Sequence, residues 1–124
     1  MLNPTPNLRA FICSEPIDMR SSFDSLSGMI KSHLGENPLS GKLFVFFSRR
    51  RNRIKVLAWE LDGFSLYYKR LERGTFSWIQ DLDLHQSCEI SGADFALLLS
   101  SVNINKTAPE IRSRQEKKQA LHLV

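Results

Sequence analysis

Apolar and polar positions change period several times along the chain, and each change marks an element. Leu8 to Cys13 (LRAFIC) is a short apolar run closed by Ser14-Glu15-Pro16, which predicts a strand joined to the main sheet. From Met19 the period becomes helical: Met19, Phe23, Leu26, Ile30 and Leu34 recur at spacings of four, three, four and four, with Met29 and His33 widening the stripe. Asp18 or Ser21 can cap this helix, Gly35 suits a left-handed C-terminal position, and Pro38 forbids continuation. Gly28 and several serines lower its intrinsic propensity, so it should depend on packing against a sheet.

The stretch from Gly41 to Ile79 holds three or four apolar segments rich in aromatic and β-branched residues and separated by turn signals, the pattern of an antiparallel meander. Arg49 to Asn52 reads as a four-residue hairpin loop, which sets Ser48 opposite Arg53, Phe46 opposite Lys55 and Phe44 opposite Leu57. Asp62-Gly63 reads as a two-residue turn, which would set Trp59 opposite Leu66, Leu57 opposite Tyr68 and Lys55 opposite Arg70. Strand alternation then sorts the side chains into two faces. One face carries Leu43, Val45, Phe47, Ile54, Val56, Ala58, Tyr67 and Leu71 and is the expected seat of the helices. The other carries Phe44, Phe46, Leu57, Trp59, Leu66 and Tyr68, with Arg53, Lys55 and Arg70 at one end. So many apolar residues must be covered, by another helix, a second subunit or a partner protein. A homodimer through this face is one expectation.

Glu72 to Thr75 reads as a turn, Phe76 to Ile79 as a further strand and Gln80 to Ser87 as loop. Ser91 and Asp94 form a capping box, with Ile90 and Phe95 as hydrophobic staple, opening a second helix that buries Phe95, Leu98, Leu99 and Val102 and ends near Asn103. The expected fold is α+β: an antiparallel meander of about four or five strands with two main helices packed on one face. Residues 8–105 should form the single domain, after a loose segment 1–7 and before a basic tail 106–124 that is frayed or folds only on a partner.

Composition adds bounds. The chain of 124 residues, 42% hydrophobic and 24% charged, is ordinary for one soluble domain. Its N-terminus lacks the regions of a signal peptide and no apolar run reaches membrane length, so the expectation is a cytoplasmic protein without membrane contact. Cys13 and Cys88 show no ligand or redox spacing; two free buried thiols, no metal and no cofactor are expected. The formal charge of +4 is uneven: residues 42–73 carry +6 and residues 106–124 carry +3, while residues 74–105 carry −4. That concentration points to a polyanionic partner.

Candidate chemistry is therefore weighed against simpler readings. Two-metal phosphoryl transfer needs converging carboxylates, but Asp62 is explained by its turn and Asp18 and Asp24 by helix capping, which leaves Glu60 alone. The expectation is that the chain is not an enzyme. Arg49, Arg50, Arg51 and Arg53 at a hairpin tip, with Lys55, Lys69, Arg70 and Arg73 along adjacent strands, are candidates for phosphate contact, and Tyr68 and Trp59 for stacking on unpaired bases. The bland alternative is a solvated arginine-rich tip protecting a sheet edge. Lys55 opposite Arg70 would need a neutralising group, either an internal carboxylate such as Asp18 or Glu72 or an external anion.

The residues also resemble a family. Pro16-Ile17-Asp18-Met19-Arg20, Phe23-Asp24, Asn37-Pro38, Arg53-Ile54-Lys55, Asp62-Gly63-Phe64 and Tyr68-Lys69-Arg70-Leu71-Glu72-Arg73-Gly74 are similar to the TnpB-type accessory protein of the sixty-six family of bacterial insertion sequences. P-x-D-M-R and Y-K-R-L-E-x-G are its most specific parts. The chain departs from the usual pattern at Ser21, Ser22, Ser25, Ile79 and Ser101. The resemblance implies an accessory factor in DNA transposition, whose partners would be DNA at the element ends and the cognate transposase, a separate protein that carries the catalytic acids. Direct DNA binding through the arginine-rich hairpin and a bridging role between proteins are the two readings it leaves open.

Overall fold

A computed structural model describes residues 7–76, 87–100 and 102–103. The order is β1 (Arg9–Ile12), α1 (Phe23–Ser32), β2 (Leu43–Phe47), β3 (Arg53–Trp59), β4 (Phe64–Arg70), β5 (Thr75–Phe76), β6 (Cys88–Ser91), α2 (Gly92–Ser100) and β7 (Val102–Asn103). Five strands form one sheet in the order β4-β3-β2-β1-β6, and β5 pairs with β7 in a separate two-stranded ribbon. The α+β class, the number of strands and the two helices agree with the sequence pattern.

The meander is not antiparallel throughout. β1 runs parallel to β2, Phe11 beside Phe44, and antiparallel to β6. A parallel neighbour requires a long crossover, and α1 lies within it. β6 has no counterpart in the expected elements; only four residues long, it ends directly at the cap of α2, where the Asp94 amide donates to Ser91 Oγ at 3.1 Å. Of the expected strand at Phe76 to Ile79, Phe76 belongs to β5, while Trp78 and Ile79 lie outside the described residues, as do 1–6 and the tail from 104.

The two helices take opposite faces instead of sharing one. Leu26 and Ile30 of α1, both fully buried, pack with Cys13, Ile17, Phe44, Phe46 and Leu57. Phe95 and Leu98 of α2 pack with Ala10, Ile12, Leu43, Val45, Phe47, Ile54, Val56, Ala58 and Phe76. A sheet apolar on both sides leaves two surfaces to bury, and each helix supplies one stripe. The second sheet face is therefore covered by α1, the first of the three expected covers.

Helix α1 is shorter than its apolar stripe, although Met19 and Leu34 still pack on the same core from outside it. Asp18 closes a turn, accepting the Ser21 amide at its carbonyl (2.9 Å) and the Arg20 amide at its side chain (2.9 Å). The carbonyls of Met19 and Ser21, just ahead of the helix, accept from Lys55, and Ser22 is the N-cap. At the other end Gly35 adopts φ +64° and the Glu36 amide donates to the Ile30 carbonyl at 3.1 Å.

The hairpin β2–β3 has the expected register, with Phe46 opposite Lys55 and Phe44 opposite Leu57. The hairpin β3–β4 does not. Its loop is Glu60 to Gly63, closed by Glu60 N–H to the Gly63 carbonyl at 2.8 Å and Asp62 N–H to the Glu60 carbonyl at 2.5 Å, with Leu61 at φ +61°. Trp59 thus faces Phe64, Leu57 faces Leu66, Lys55 faces Tyr68 and Arg53 faces Arg70. Each pair is displaced by two positions from a two-residue Asp-Gly turn. The observed register sets Leu57 beside Leu66 and makes an edge-on Trp59–Phe64 contact with ring centroids 5.1 Å apart. A slip of two preserves side-chain parity, so the sorting into faces survives unchanged.

Candidate nucleic-acid interface

Several segments converge at the end of the sheet where β2 turns into β3. The loop 49–52 is held by Ser48 N–H to the Arg53 carbonyl at 3.1 Å and Arg51 N–H to the Ser48 carbonyl at 2.9 Å. The chain leaving β4 returns to it: Leu71 N–H donates to the Asn52 carbonyl at 2.7 Å and Phe76 N–H to the Arg51 carbonyl at 2.9 Å. The segment carrying Arg73 is thereby pinned beside the hairpin. From the other side, Ile17 N–H donates to the Phe47 carbonyl at 2.9 Å, which brings the Asp18–Arg20 turn to the same end.

Within this cluster the nine sequence candidates separate by exposure and direction. Arg49, Arg50, Lys69, Arg70, Arg73 and Tyr68 are exposed, Arg51 and Arg53 are half-buried, and Lys55 is buried at 5% exposure. Arg53, Lys55, Tyr68 and Arg70 share the α1 face, whereas Lys69, opposite Ile54, points to the α2 face. Arg51 holds the left-handed conformation (φ +59°), and burial pulls its guanidinium below the usual arginine range.

Lys55 has an internal assignment. Its Nζ donates to the Met19 carbonyl at 2.7 Å and the Ser21 carbonyl at 2.5 Å and sits 4.8 Å from the centre of the Tyr68 ring. Tyr68 is accordingly held at both ends, because its hydroxyl accepts from Arg53 Nη1 at 3.1 Å. One face of that ring is thus occupied by an ammonium although Tyr68 is exposed, and Trp59 is packed edge-on against Phe64. The two most distinctive motifs of the sequence, P-x-D-M-R and Y-K-R-L-E-x-G, meet on this one lysine.

The like-charge pair across β3 and β4 is Arg53 with Arg70, not Lys55 with Arg70. Arg70 donates through Nε (3.3 Å) and Nη2 (2.9 Å) to a single Glu72 oxygen, which raises the Arg70 pKa. Asp18 pairs instead with Arg20 at 2.6 Å, and these hydrogen bonds lower its carboxyl to about 2. Among the described residues the other cations in ion pairs are Arg9 and Lys42; no carboxylate pairs with Arg49, Arg50, Arg51, Arg53, Lys69 or Arg73. Arg20 was not among the sequence candidates. Its place in P-x-D-M-R, one residue from carbonyls that hold Lys55, was the available signal.

The alternative chemistries find no assembled site among the described residues. No group of three or more His, Cys, Asp or Glu is placed to hold a metal. Glu60 hydrogen-bonds the Ser65 hydroxyl in the β3–β4 turn, while Asp18 and Asp24 sit before and in the first turn of α1. Cys13 and Cys88 are free thiols, both pushed up by burial, and Cys13 Sγ donates to the Glu15 carbonyl at 3.5 Å. Cys13 also lines a cavity of about 250 Å³ with Met29, His33 and Ser87, yet a thiol with a raised pKa is a poor nucleophile. No described helix is long and apolar enough to cross a membrane.

Residues 8–109 match the family described as IS66 Orf2 like protein. Two proteins of Sinorhizobium fredii, both called uncharacterized, are similar over nearly their whole lengths. One, y4jC, is 31% identical over 83% of this chain and 86% of its own; the other, y4hO, is 37% identical over 83% and 88%. No solved structure matches the chain at a significant level.

Proposed function

The chain belongs to the IS66 Orf2-like family, and on that premise we propose that it is a non-catalytic accessory factor of transposition that holds DNA through the arginine-rich β2–β3 hairpin and its neighbours. The observation that carries this reading is the pairing pattern. Carboxylates neutralise Arg9, Arg20, Lys42 and Arg70, whereas among the described residues Arg49, Arg50, Arg51, Arg53, Lys69 and Arg73 have none. Phosphate oxygens are the partners that a set of unpaired, mostly exposed guanidinium groups suits best. Lys55 contributes charge from beneath and holds Tyr68 in place. The DNA at the element ends and the cognate transposase are the partners this role calls for.

Fluorescence anisotropy of duplex DNA across a salt series tests it. Binding should weaken steeply with salt, and replacing Arg49, Arg50 and Arg53 by alanine should lower the log-log slope by about 0.9 for each phosphate no longer neutralised. No binding at low salt, or an unchanged slope, would instead support a bridge between proteins. That second reading draws on β4, an edge strand whose seven residues include the exposed Tyr68.

A further inference from the structure

We propose that Arg53 and Arg70, directly opposite each other on β3 and β4, form a two-arginine seat for one DNA backbone phosphate, and that Glu72 is the resident carboxylate which the phosphate displaces. This rests on the DNA-binding reading above and specifies one contact within it. Like charges facing each other across a strand pair are unfavourable without an anion between or beside them. Glu72 meets that need only for Arg70. It offers one oxygen to both donors, and its side chain is 79% exposed. An exposed pair held this way is weak and readily exchanged.

Arg53 is fixed but not neutralised. Its Nη1 donates to the Tyr68 hydroxyl, a neutral acceptor, and no carboxylate reaches the guanidinium among the described residues. Tyr68 is in turn fixed from below by Lys55, whose ammonium is held by two backbone carbonyls and cannot swing out to pair with Glu72. Of the two arginines facing each other on β3 and β4, only Arg70 therefore has a carboxylate partner among the described residues, and that carboxylate is exposed. Two planar guanidinium groups on adjacent strands can each place paired N–H donors on a phosphate, an arrangement Glu72 cannot satisfy for both. The seat lies at the base of the hairpin, so a backbone docked on Arg49 and Arg50 would run past it.

Glu72→Gln separates this from a general charge effect. With the full-length chain and duplex DNA, Glu72→Gln should tighten binding by about two- to five-fold, the worth of an exposed ion pair expressed as affinity. In an Arg70→Ala background the same change should have almost no effect, because no seat is left to vacate. Arg53→Lys and Arg70→Lys, which keep the charge but lose the paired donors, should each weaken binding while the thermal midpoint stays unchanged. If Glu72→Gln tightens binding equally with arginine or alanine at position 70, the seat is wrong. If Arg49→Ala and Arg50→Ala weaken binding but Arg53→Lys, Arg70→Lys and Glu72→Gln do not alter it, the seat falls and DNA binding stands. If the unaltered chain fails to bind duplex DNA at low salt, both fall.

Discussion

At the scale of single residues, Lys55 carries more of the local architecture than its charge suggests. Its ammonium is the donor to the Met19 and Ser21 carbonyls and ties the segment just ahead of α1 to β3. Lys55→Met keeps the length of the stem but leaves both carbonyls without their donor. Urea titration should show a loss of about 2–3 kcal/mol, the range for hydrogen bonds to a charged group. Leu61 offers the opposite case. It is 95% exposed in a left-handed conformation, so its side chain contributes no packing to offset the backbone strain. Leu61→Gly should raise the unfolding free energy by about 0.5–1 kcal/mol, and a lower value would mean the loop is not strained. The sequence pattern shows Lys55 and the arginines as residues, but not which of them is enclosed. Lys55 is enclosed by the Met19–Ser21 segment and by Tyr68, and its pairing with Tyr68 follows a register that the Asp62-Gly63 signal does not favour.

Among elements, the periodic ones are legible in the sequence and the short ones are not. The stripes of α1 and α2 identify Leu26, Ile30, Phe95 and Leu98 as buried, because helical spacing is a local property, but Phe23 of the first stripe is exposed and Val102 of the second belongs to β7. β6, whose four residues are too few for their alternation to mark a strand, pairs with β1, some eighty positions away in sequence. The tie between β3 and the segment ahead of α1 escapes the sequence pattern for a related reason: its donor, Lys55, is distant in sequence from the carbonyls it meets. The cap of α2 is local and legible, and Ser91→Ala should cost about 1 kcal/mol by chemical denaturation. β1, β2 and β6 are tied by charge as well. Glu89 joins Arg9 (2.8 Å) and Lys42 (2.8 Å), and Lys42 also joins Glu36 (2.9 Å). The hydrogen bonds from Lys42 and Arg9 hold the Glu89 carboxyl below its ordinary value of 4.5. A carboxyl with a lowered folded-state pKa stabilises the fold above its unfolded value and loses that contribution as pH falls through the folded one. Thermal midpoints should therefore fall below about pH 4.5, and Glu89→Gln should flatten that part of the profile.

For the molecule as a whole, the sorting of the sheet into two apolar faces is legible, and the allocation of helices to them is not. Both faces are apolar enough to accept either helix, and nothing in a stripe of leucines names its partner surface. Charge segregation is legible too, since it needs only a count. What the fold adds is convergence: the turn at Asp18, the hairpin at 49–52 and the segment after β4 reach one end of the sheet through backbone hydrogen bonds between distant residues. A chain cut after Phe76 tests the division of the core. It would keep α1 on its face but uncover Val45, Val56 and Ala58 on the other, and should bind a hydrophobic dye and lose sharp thermal unfolding, whereas the full chain should do neither.

The position of β1 has a consequence for synthesis. Of the described strands β1 is synthesised before the others of its sheet, yet it lies between β2 and β6, so one of its edges waits for Leu43 to Phe47 and the other for Cys88 to Ser91. Until both have emerged, a nascent chain displays an open strand edge beside an unroofed apolar surface, the combination most prone to stray pairing. Protease resistance should thus appear abruptly in ribosome-bound chains only once residues through α2 are free of the exit tunnel, with no protected intermediate at the length of the hairpins.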